Sequence, residues 1–542
     1  MTMPEPSAGS SLAPFRSAAF AVLWTATVVS NIGTWMSNAA SGWLMTELDA
    51  APMVVTLVQV ATTLPMFLLA LVAGALSDIV DRRRLLIVVN LVLVPVATAL
   101  CVVLWLGALT PPRLLAFTFV MSAGAAIAAP PWQAIVPALV PRVHLSGAIA
   151  ANSAGVNISR AVGPAIAGVL ITGFGIVLPF ALNAISFLGV IGALLWWRPA
   201  PTASTGLPPE HLRAALRVGL RHLKSNALLQ ASLIRAIAFF ACASAYWALL
   251  PLVAQKQVAG GPALYGNLLG AIGAGALIGA FFIQRMRSKF GSNGVVLGGS
   301  AGTAASLVLF ALAREPGVAF VAGAIAGISW ISVLTTLNVA AQVALPDWVR
   351  GRGVAMFVTA FFGAMTLGSM IWGMIAQHWG LPAAHLAAAF CILVTAFLTA
   401  GWDLSTDSDV DLAPSMHWPA PIVGGELDPD RGPVLVTVEY TIDFSERAAF
   451  LAALERLSSQ RKSSGAYGWA VYEDAAIANR FTETFYLDSW LDHLRQHHRV
   501  TNADRSTQDA TNRFDTRGAP KVTHFLAVRR SDIEGPNQSA SP

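Results

Sequence analysis

The chain has 542 residues, 55% of them hydrophobic and 12% charged, and its mean hydropathy is +0.62. A soluble domain is about one-quarter charged, so this composition excludes an ordinary water-soluble particle and indicates an integral membrane protein. The net charge of +5 comes without a basic block, which excludes a nucleic-acid-binding surface.

The N-terminal tail (1–17) lacks a basic start followed by a short apolar run and a cleavage site, so no cleaved signal is expected. Apolar runs of the roughly 20 residues needed to cross a bilayer then recur at 18–46, 54–77, 85–107, 113–135, 146–172 and 176–197. After a polar break at 198–227 they resume at 228–254, 264–284, 293–313, 317–341, 353–376 and 381–402. The expectation is an all-α membrane protein of twelve spans in two six-helix halves, 18–197 and 228–402. Arginines and lysines crowd alternate loops, among them Arg82–Arg84, Arg142, Arg285–Lys289 and Arg350, while the others hold only Arg113, Lys256 and Arg314. That asymmetry places both termini in the cytoplasm. Within the break, Arg213, Arg217, Arg221 and Lys224 share one side of a predicted helix and leucines another, suiting an amphipathic linker in the headgroup layer.

Past residue 402 the composition changes. An acidic Pro/Gly linker (403–432) leads to a soluble stretch (433–530) and a polar tail (531–542) expected to be disordered. "VLVTVEYTI" alternates as a strand, "SERAAFLAALERLSSQ" has helical spacing with Ser445 as its N-cap, and "AYGWAVYED" and "RFTETFYLD" are strands. A single helix over "SWLDHLRQHHRVTNADRST" and a strand in "KVTHFLAVRR" complete a βαββαβ order, that of a small α+β ferredoxin-like domain. Such a sheet leaves one face to cover, which suits a homodimer. Cys101, Cys242 and Cys391 all lie in apolar runs and imply no disulfides.

Among the spans, "NISRAVGPAIAGVL" stands out. Arg160 lies about fourteen residues into span 5, near mid-bilayer at 1.5 Å per residue. A charge there costs at least a few kcal/mol and must face a partner or a watery cavity. Ser153, Asn157, Arg160 and Pro164 share one helical face. No carboxylate lies near the middle of any span, and the other inward charge, Arg235 in span 7, is also positive. An electropositive cavity favours an anionic or strongly hydrogen-bonding small molecule. Further polar faces are Asn31, Trp35 and Asn38 on span 1, Trp132 and Gln133 on span 4, Tyr246 and Trp247 on span 7, and Thr335, Asn338 and Gln342 on span 10. Taken singly, each also serves as interhelical packing.

"GALSDIVDRRRLL" after span 2 is echoed by "GAFFIQRMRSKF" after span 8; aligning Gly74 with Gly279 puts Arg82 on Arg287 and Arg84 on Lys289. With twelve spans in two halves, Gly74, Asp78, Arg82 and Arg83 resemble the signature of the major facilitator superfamily, although Ile79 and Asp81 depart from it. The resemblance implies the major facilitator fold, a loop that latches the cytoplasmic side, and Asp78 facing the start of span 11 near Gly351 and Arg352. It also implies a cavity lined by spans 1, 4, 7 and 10. Gly163, Pro164 and Gly168 match that family's antiporter motif, with Ala167 replacing one glycine.

"SNIGTWMSNAASGWLMTEL" and "PPWQAIVPALVPRVHLSGAIAANSAGVNISRAVGPAIAGVL" look like the enterobactin-exporter branch of the superfamily. This implies a secondary active exporter of siderophore-like or drug-like molecules in the bacterial inner membrane. Glu47 and Asp49, at the outer end of span 1, are the candidates for proton coupling. The C-terminal domain resembles dimeric antibiotic-biosynthesis monooxygenases, which keeps open a transporter fused to an enzyme domain, alongside a membrane sensor signalling through that domain. His493 and His497, four apart on the predicted helix, offer two metal ligands and lack a third. No cofactor and no metal are expected.

Overall fold

The computed structural model describes residues 13–198, 226–404 and 427–528, together with 411, 415 and 418. The predicted linker helix at 213–224 lies outside the described residues, as do the side chains of Asp78 and Arg352. Among the described residues, ten helices are long and apolar enough to cross a membrane. They are α1 (Ala18–Leu48), α2 (Pro52–Ile79), α3 (Arg82–Trp105), α4 (Pro111–Ile135), α5 (Leu145–Phe174), α6 (Val177–Trp196), α7 (Ala227–Leu252), α8 (Pro262–Leu312), α9 (Pro316–Val343) and α10 (Asp347–Thr399).

Local chemistry sets their ends. Prolines open α2, α4 and α8, where a missing N–H costs nothing. Ser17 caps α1 and Asp81 caps α3, the Asp81 carboxylate accepting from the Arg84 amide at 2.7 Å. Pro251 ends α7 in a turn of π-helix, from which Gln257 donates to the last carbonyls of α8, at Phe310 (2.5 Å), Ala311 (3.1 Å) and Ala313 (2.9 Å).

Two helices differ from the sequence reading. Spans 8 and 9 form the 51-residue α8, and spans 11 and 12 fall within the 53-residue α10. The intervening loops are so short that helical hydrogen bonding runs up to a single glycine on either side. The chain turns at Gly291 (φ 66°) and at Gly380 (φ 84°), backbone states that side-chain-bearing residues avoid.

The described residues fall into two compact units, the first built from α1–α6 and most of α7–α10, the second chiefly from the C-terminal residues. The second contains β1 (Val434–Thr441), α11 (Arg447–Ser463), β2 (Tyr467–Glu473), β3 (Arg480–Leu487), α12 (Trp490–Arg499), α13 (Asn502–Asn512) and β4 (Lys521–Leu526). Its antiparallel sheet has the order β2-β3-β1-β4. The predicted single helix at 489–507 is in fact two, because Thr501 forms a capping box with Asp504 and starts a new one. Ser445 does not cap its helix. Asp443 accepts from the Ser445 amide and hydroxyl instead, closing a short 3₁₀ turn before α11.

Alternation on β1 sends Val434, Val436, Val438 and Tyr440 inward, where they meet Phe450, Leu454 and Leu457 of α11 and Phe481 and Phe485 of β3. Glu483 is buried in this core and fully engaged. It accepts from Arg461 Nε (3.2 Å), Trp469 Nε1 (2.9 Å) and the Tyr440 hydroxyl (3.4 Å). The Arg461 guanidinium lies over Phe485 at 5.2 Å. On the other face, register lines up Tyr467, Tyr486, Leu435 and Phe525 across all four strands, with Phe525 51% exposed.

Candidate substrate site

Small residues let α5 approach helices on two sides. An added Cβ at Gly163 falls 2.7 Å from Trp35 Cβ and 3.0 Å from the Ile32 carbonyl, so this face of α5 fits α1. Trp24 Nε1 donates to the Ala151 carbonyl (3.0 Å) and the Ser159 hydroxyl to that of Val28 (3.2 Å), continuing the same seam. The next face meets α8. A Cβ at Gly168 falls 2.9 Å from the Pro262 carbonyl, one at Gly266 falls 2.5 Å from the Pro164 carbonyl, and one at Gly273 falls 2.5 Å from Ala161 Cα. These neighbours are backbone and cannot step aside. Gly266 and Gly273 form the counterpart of the α5 motif. Their repeat in "YGNLLGAIGAGALIG" is legible in sequence, but only the partner helix gives it meaning.

The bundle is closed at the end holding the α1–α2 turn. Lys256 Nζ donates to the Ala50 carbonyl (2.6 Å), Gln255 Nε2 to Thr46 (3.3 Å), and Trp43 stacks on Tyr265 at 6.3 Å. Between α2 and α10, Thr63 and Thr366 share a buried hydrogen bond of 2.7 Å, and a Cβ at Gly373 would collide with Thr56. Both predicted proton-coupling residues lie at this end. Glu47, exposed, accepts from Trp43 Nε1 (2.7 Å), and Asp49 accepts from the Ala51 amide (2.9 Å), holding the turn into α2.

At the α2–α3 loop a Cβ at Gly74 meets nothing within 4 Å. Arg82 Nε donates to the Ser77 carbonyl and Arg82 Nη1 to that of Ala134, both at 3.4 Å. Arg83 holds the last turn of α6 through Leu194 (2.7 Å) and Leu195 (3.1 Å). Cations on terminal carbonyls favour a helix C-terminus.

Between these ends lies a set of donors without acceptors. Arg160, half-buried, carries its guanidinium 5.4 Å from the centre of the Trp35 ring, and its Nε is buried without a partner. Tyr246, fully buried on α7, comes within electrostatic reach of Arg160, and its hydroxyl is also unpartnered. Trp247 and Trp330 continue the set. Each has a buried, unpartnered Nε1, and their rings lie 5.4 Å apart, with Tyr246 at 5.7 and 6.3 Å from them. Sequence reasoning missed Trp330, an aromatic residue in an apolar run on α9 with no local polar signal.

The other predicted site residues are more dispersed. Asn31 and Asn38 are half-buried on α1, and Thr335, Asn338 and Gln342 are half-buried on α9. Trp132 Nε1 donates to Asn152 Oδ1 (3.0 Å), a tie from α4 to α5, and Gln133 is exposed. Asn157 donates to the Ser153 carbonyl one turn back (2.9 Å). Arg235, 2% exposed, is tied through Nη1, which donates to Asn293 Oδ1 (2.5 Å) and the Trp402 carbonyl (3.1 Å), and Asn293 donates to Asp403 (2.9 Å); its Nε and Nη2 are buried without partners.

Buried N–H groups of arginine and tryptophan cannot accept, so leaving each unpaired costs roughly 1–3 kcal/mol. A ligand rich in acceptor oxygens removes that cost at several points together. A family model described as "Transmembrane secretion effector" matches residues 9–532. The staphyloferrin A transporter of Staphylococcus aureus is 24% identical over 354 residues, covering 65% of this chain and 87% of its own. The multidrug efflux pump Tap of Mycobacterium tuberculosis is 25% identical over 422 residues, covering 75% and 98%. In fold, the chain resembles the crystal structure of a bacterial homologue of the human lysosomal transporter Spinster (TM-score 0.57, 14% identity, 73% of this chain and 99% of that one). The chain therefore belongs to the transmembrane secretion effector family, within the major facilitator superfamily of membrane transporters.

Proposed function

We propose that the protein is a secondary active exporter of the enterobactin-exporter type, working by alternating access in the bacterial inner membrane. The observation that carries this reading is the unpartnered donor set of Arg160, Tyr246, Trp247 and Trp330, contributed by helices on both sides of the 198–227 break. With α8 and α10 counted as two crossings each at Gly291 and Gly380, the bundle has twelve spans in halves 18–197 and 228–402. The basic loops put the α2–α3 end and both termini in the cytoplasm. The sealed α1–α2 end is then outside, and the donor set awaits cargo from within.

The cargo is anionic and rich in acceptor oxygens, in keeping with a relative named as a staphyloferrin A transporter. Protons move in exchange, with Glu47 and Asp49 meeting the outer solution and Asp78 latching the cytoplasmic side against the start of span 11. The C-terminal unit is ferredoxin-like and pairs with a second copy through the Tyr467–Tyr486–Leu435–Phe525 row. An exposed aromatic row on a sheet is better covered than wetted. If so, Phe525→Glu converts a dimer of the detergent-purified protein to a monomer.

Everted vesicles energised to an acid interior test the main reading, with internal pH followed as compounds are added. Anionic catecholates and carboxylates should release protons in vesicles holding the wild-type protein and leave those holding Arg160→Ala unchanged. Release by cationic dyes alone would overturn the cargo class. Absence of proton release during measured, ATP-independent uptake of a cargo would overturn antiport.

A further inference from the structure

Between the start of α1 and the end of α6 runs a groove of about 590 Å³, walled by Ala21, Val22 and Ala26 on one side and by Gly189, Gly192 and Trp196 on the other. It opens outward, for Val22, Gly189, Gly192 and Trp196 are all exposed. A Cβ at Gly189 or at Gly192 would meet nothing within 4 Å. Glycine is a poor helix former, and unlike Gly163 or Gly266 neither of these two admits a neighbouring helix among the described residues. What they leave is the groove itself, which follows α6 from residue 189 to 196, about 10 Å at 1.5 Å per residue. Cations stand at its end. Arg16 lies two residues before α1 and Arg198 two residues after α6; both are exposed and, among the described residues, neither is in an ion pair. Arg83 adds a third, bound to the Leu194 and Leu195 carbonyls in the last turns of α6. Trp196, 57% exposed, is of the residue type that sits at headgroup level.

We propose that the α1–α6 groove binds one anionic phospholipid, with an acyl chain lying along the groove and the headgroup phosphate met by Arg16 and Arg198. The walls are apolar and belong to two membrane-crossing helices, so a hydrocarbon chain fills the space and water does not. A groove touches such a chain on more sides than a flat helix face does, and these small dispersion contacts add up. Basic pockets between membrane helices recruit anionic headgroups, and guanidinium groups match phosphate oxygens through paired N–H bonds. A zwitterionic lipid brings its own cation to the same arginines and is held less tightly. A second copy of the chain is the other apolar occupant. In a two-fold contact it would set its own Arg16 and Arg198 against these, and like charges across an interface are costly. The site does not depend on the export reading.

Full-length protein in mild detergent is delipidated, supplied with phosphatidylglycerol or phosphatidylethanolamine of matched chains, and weighed by native mass spectrometry. One phosphatidylglycerol should stay on the wild type under activation that strips phosphatidylethanolamine, and it should raise the melting temperature. Gly189→Leu and Gly192→Leu together fill the groove and should remove both effects. Leucine is a good helix former and its side chains enter open space, so this variant keeps its fold. Arg16→Gln with Arg198→Gln should weaken phosphatidylglycerol binding roughly 30-fold and leave phosphatidylethanolamine unchanged. No phosphatidylglycerol retained by the wild type, or equal retention by the leucine variant, would overturn the site. Equal retention of the two lipids by the wild type would overturn the anionic headgroup. A dimer that the leucine variant splits, with no lipid retained, would overturn the proposal in favour of a second copy.

Discussion

Two buried polar clusters, one in each unit, are built in opposite ways. In the C-terminal unit, Glu483 accepts from three donors and its Arg461 partner lies over an aromatic ring, so the charges are answered within the chain. In the membrane unit, Arg160, Tyr246, Trp247 and Trp330 present buried donors that the chain leaves unanswered. Apolar side chains of similar size would pack at lower cost in either place. A saturated network fixes one arrangement of the core, whereas an unsaturated one has capacity left for a ligand. Substitution should therefore hurt stability in the first and ligand binding in the second.

The largest effect is expected at Glu483. Glu483→Ala leaves the Arg461 charge buried and alone, which costs roughly 3–5 kcal/mol. Hydrogen exchange on the full-length protein should show the β1 and β3 amides losing protection by two or more orders of magnitude, with α1–α6 unchanged. Unaltered exchange in β1 would dissolve the contrast, because the tail network would then be no more structural than the membrane one.

Arg160→Ala should behave the other way. A hydrogen bond to a charged group contributes about 1.5–3 kcal/mol, so affinity for an anionic cargo should fall roughly 10–100-fold while thermal stability stays the same or rises. Arg160→Lys keeps the charge but loses the planar fork and the stacking on Trp35, and should recover only part of the affinity. Trp330→Phe removes one donor and keeps the ring, for a loss of about 0.5–1.5 kcal/mol. Equal affinity in all three variants would assign the donors to packing.

Gly266→Ala probes the wall of that site. Its new Cβ meets the Pro164 carbonyl at 2.5 Å. Overpacking of this kind costs about 1–3 kcal/mol, and the strain is relieved if α5 and α8 separate. The expected result is faster labelling, by a membrane-impermeant maleimide, of a Thr46→Cys probe at the sealed end. Unchanged labelling would mean that α5 and α8 move together.

These comparisons also show what a single sequence reveals. The apolar runs are legible because crossing lipid requires some twenty apolar residues in a row, and β1 is legible because one face alternates. Arg160 announces itself because a charge within such a run has no local reason to be there. Trp330 does not, because an indole in an apolar run becomes a donor without an acceptor only through its neighbours on other helices. Glu483 falls on the apolar face of its strand beside Phe481 and Phe485, and only Arg461 and Trp469 explain a carboxylate there. Turns are hidden where hydrogen-bonded caps outweigh periodicity, as at Thr501, and where one glycine does the work of a loop, as at Gly291 and Gly380.

The smallest effect concerns three local aspartate contacts of the C-terminal unit, at Asp443, Asp474 and the buried Asp515, which the contrast predicts to be nearly dispensable. The Asp443 carboxyl is held below its ordinary range by the Ser445 hydroxyl and amide, and that of Asp474 by Arg480 and by the amides of Ala476 and Ile477. At Asp515 burial pushes upward, but hydrogen bonds from Arg517 outweigh it and the carboxyl again sits low. An unfolded aspartate titrates near about 3.9. Each group thus binds a proton more readily in the unfolded chain. Its contribution is complete above that pH and fades as pH falls through the lowered folded values. Between pH 7 and pH 5 these three carboxylates should leave the unfolding of the tail unaffected, and between pH 4 and pH 2 it should become easier. Asp515→Asn should reduce that acid sensitivity slightly, whereas Asp474→Asn, at a partly solvated pair, should change it less still. A substitution at Asp474 that rivalled Glu483→Ala would show that the tail's stability depends on its surface, and the contrast with the membrane unit would have to be redrawn.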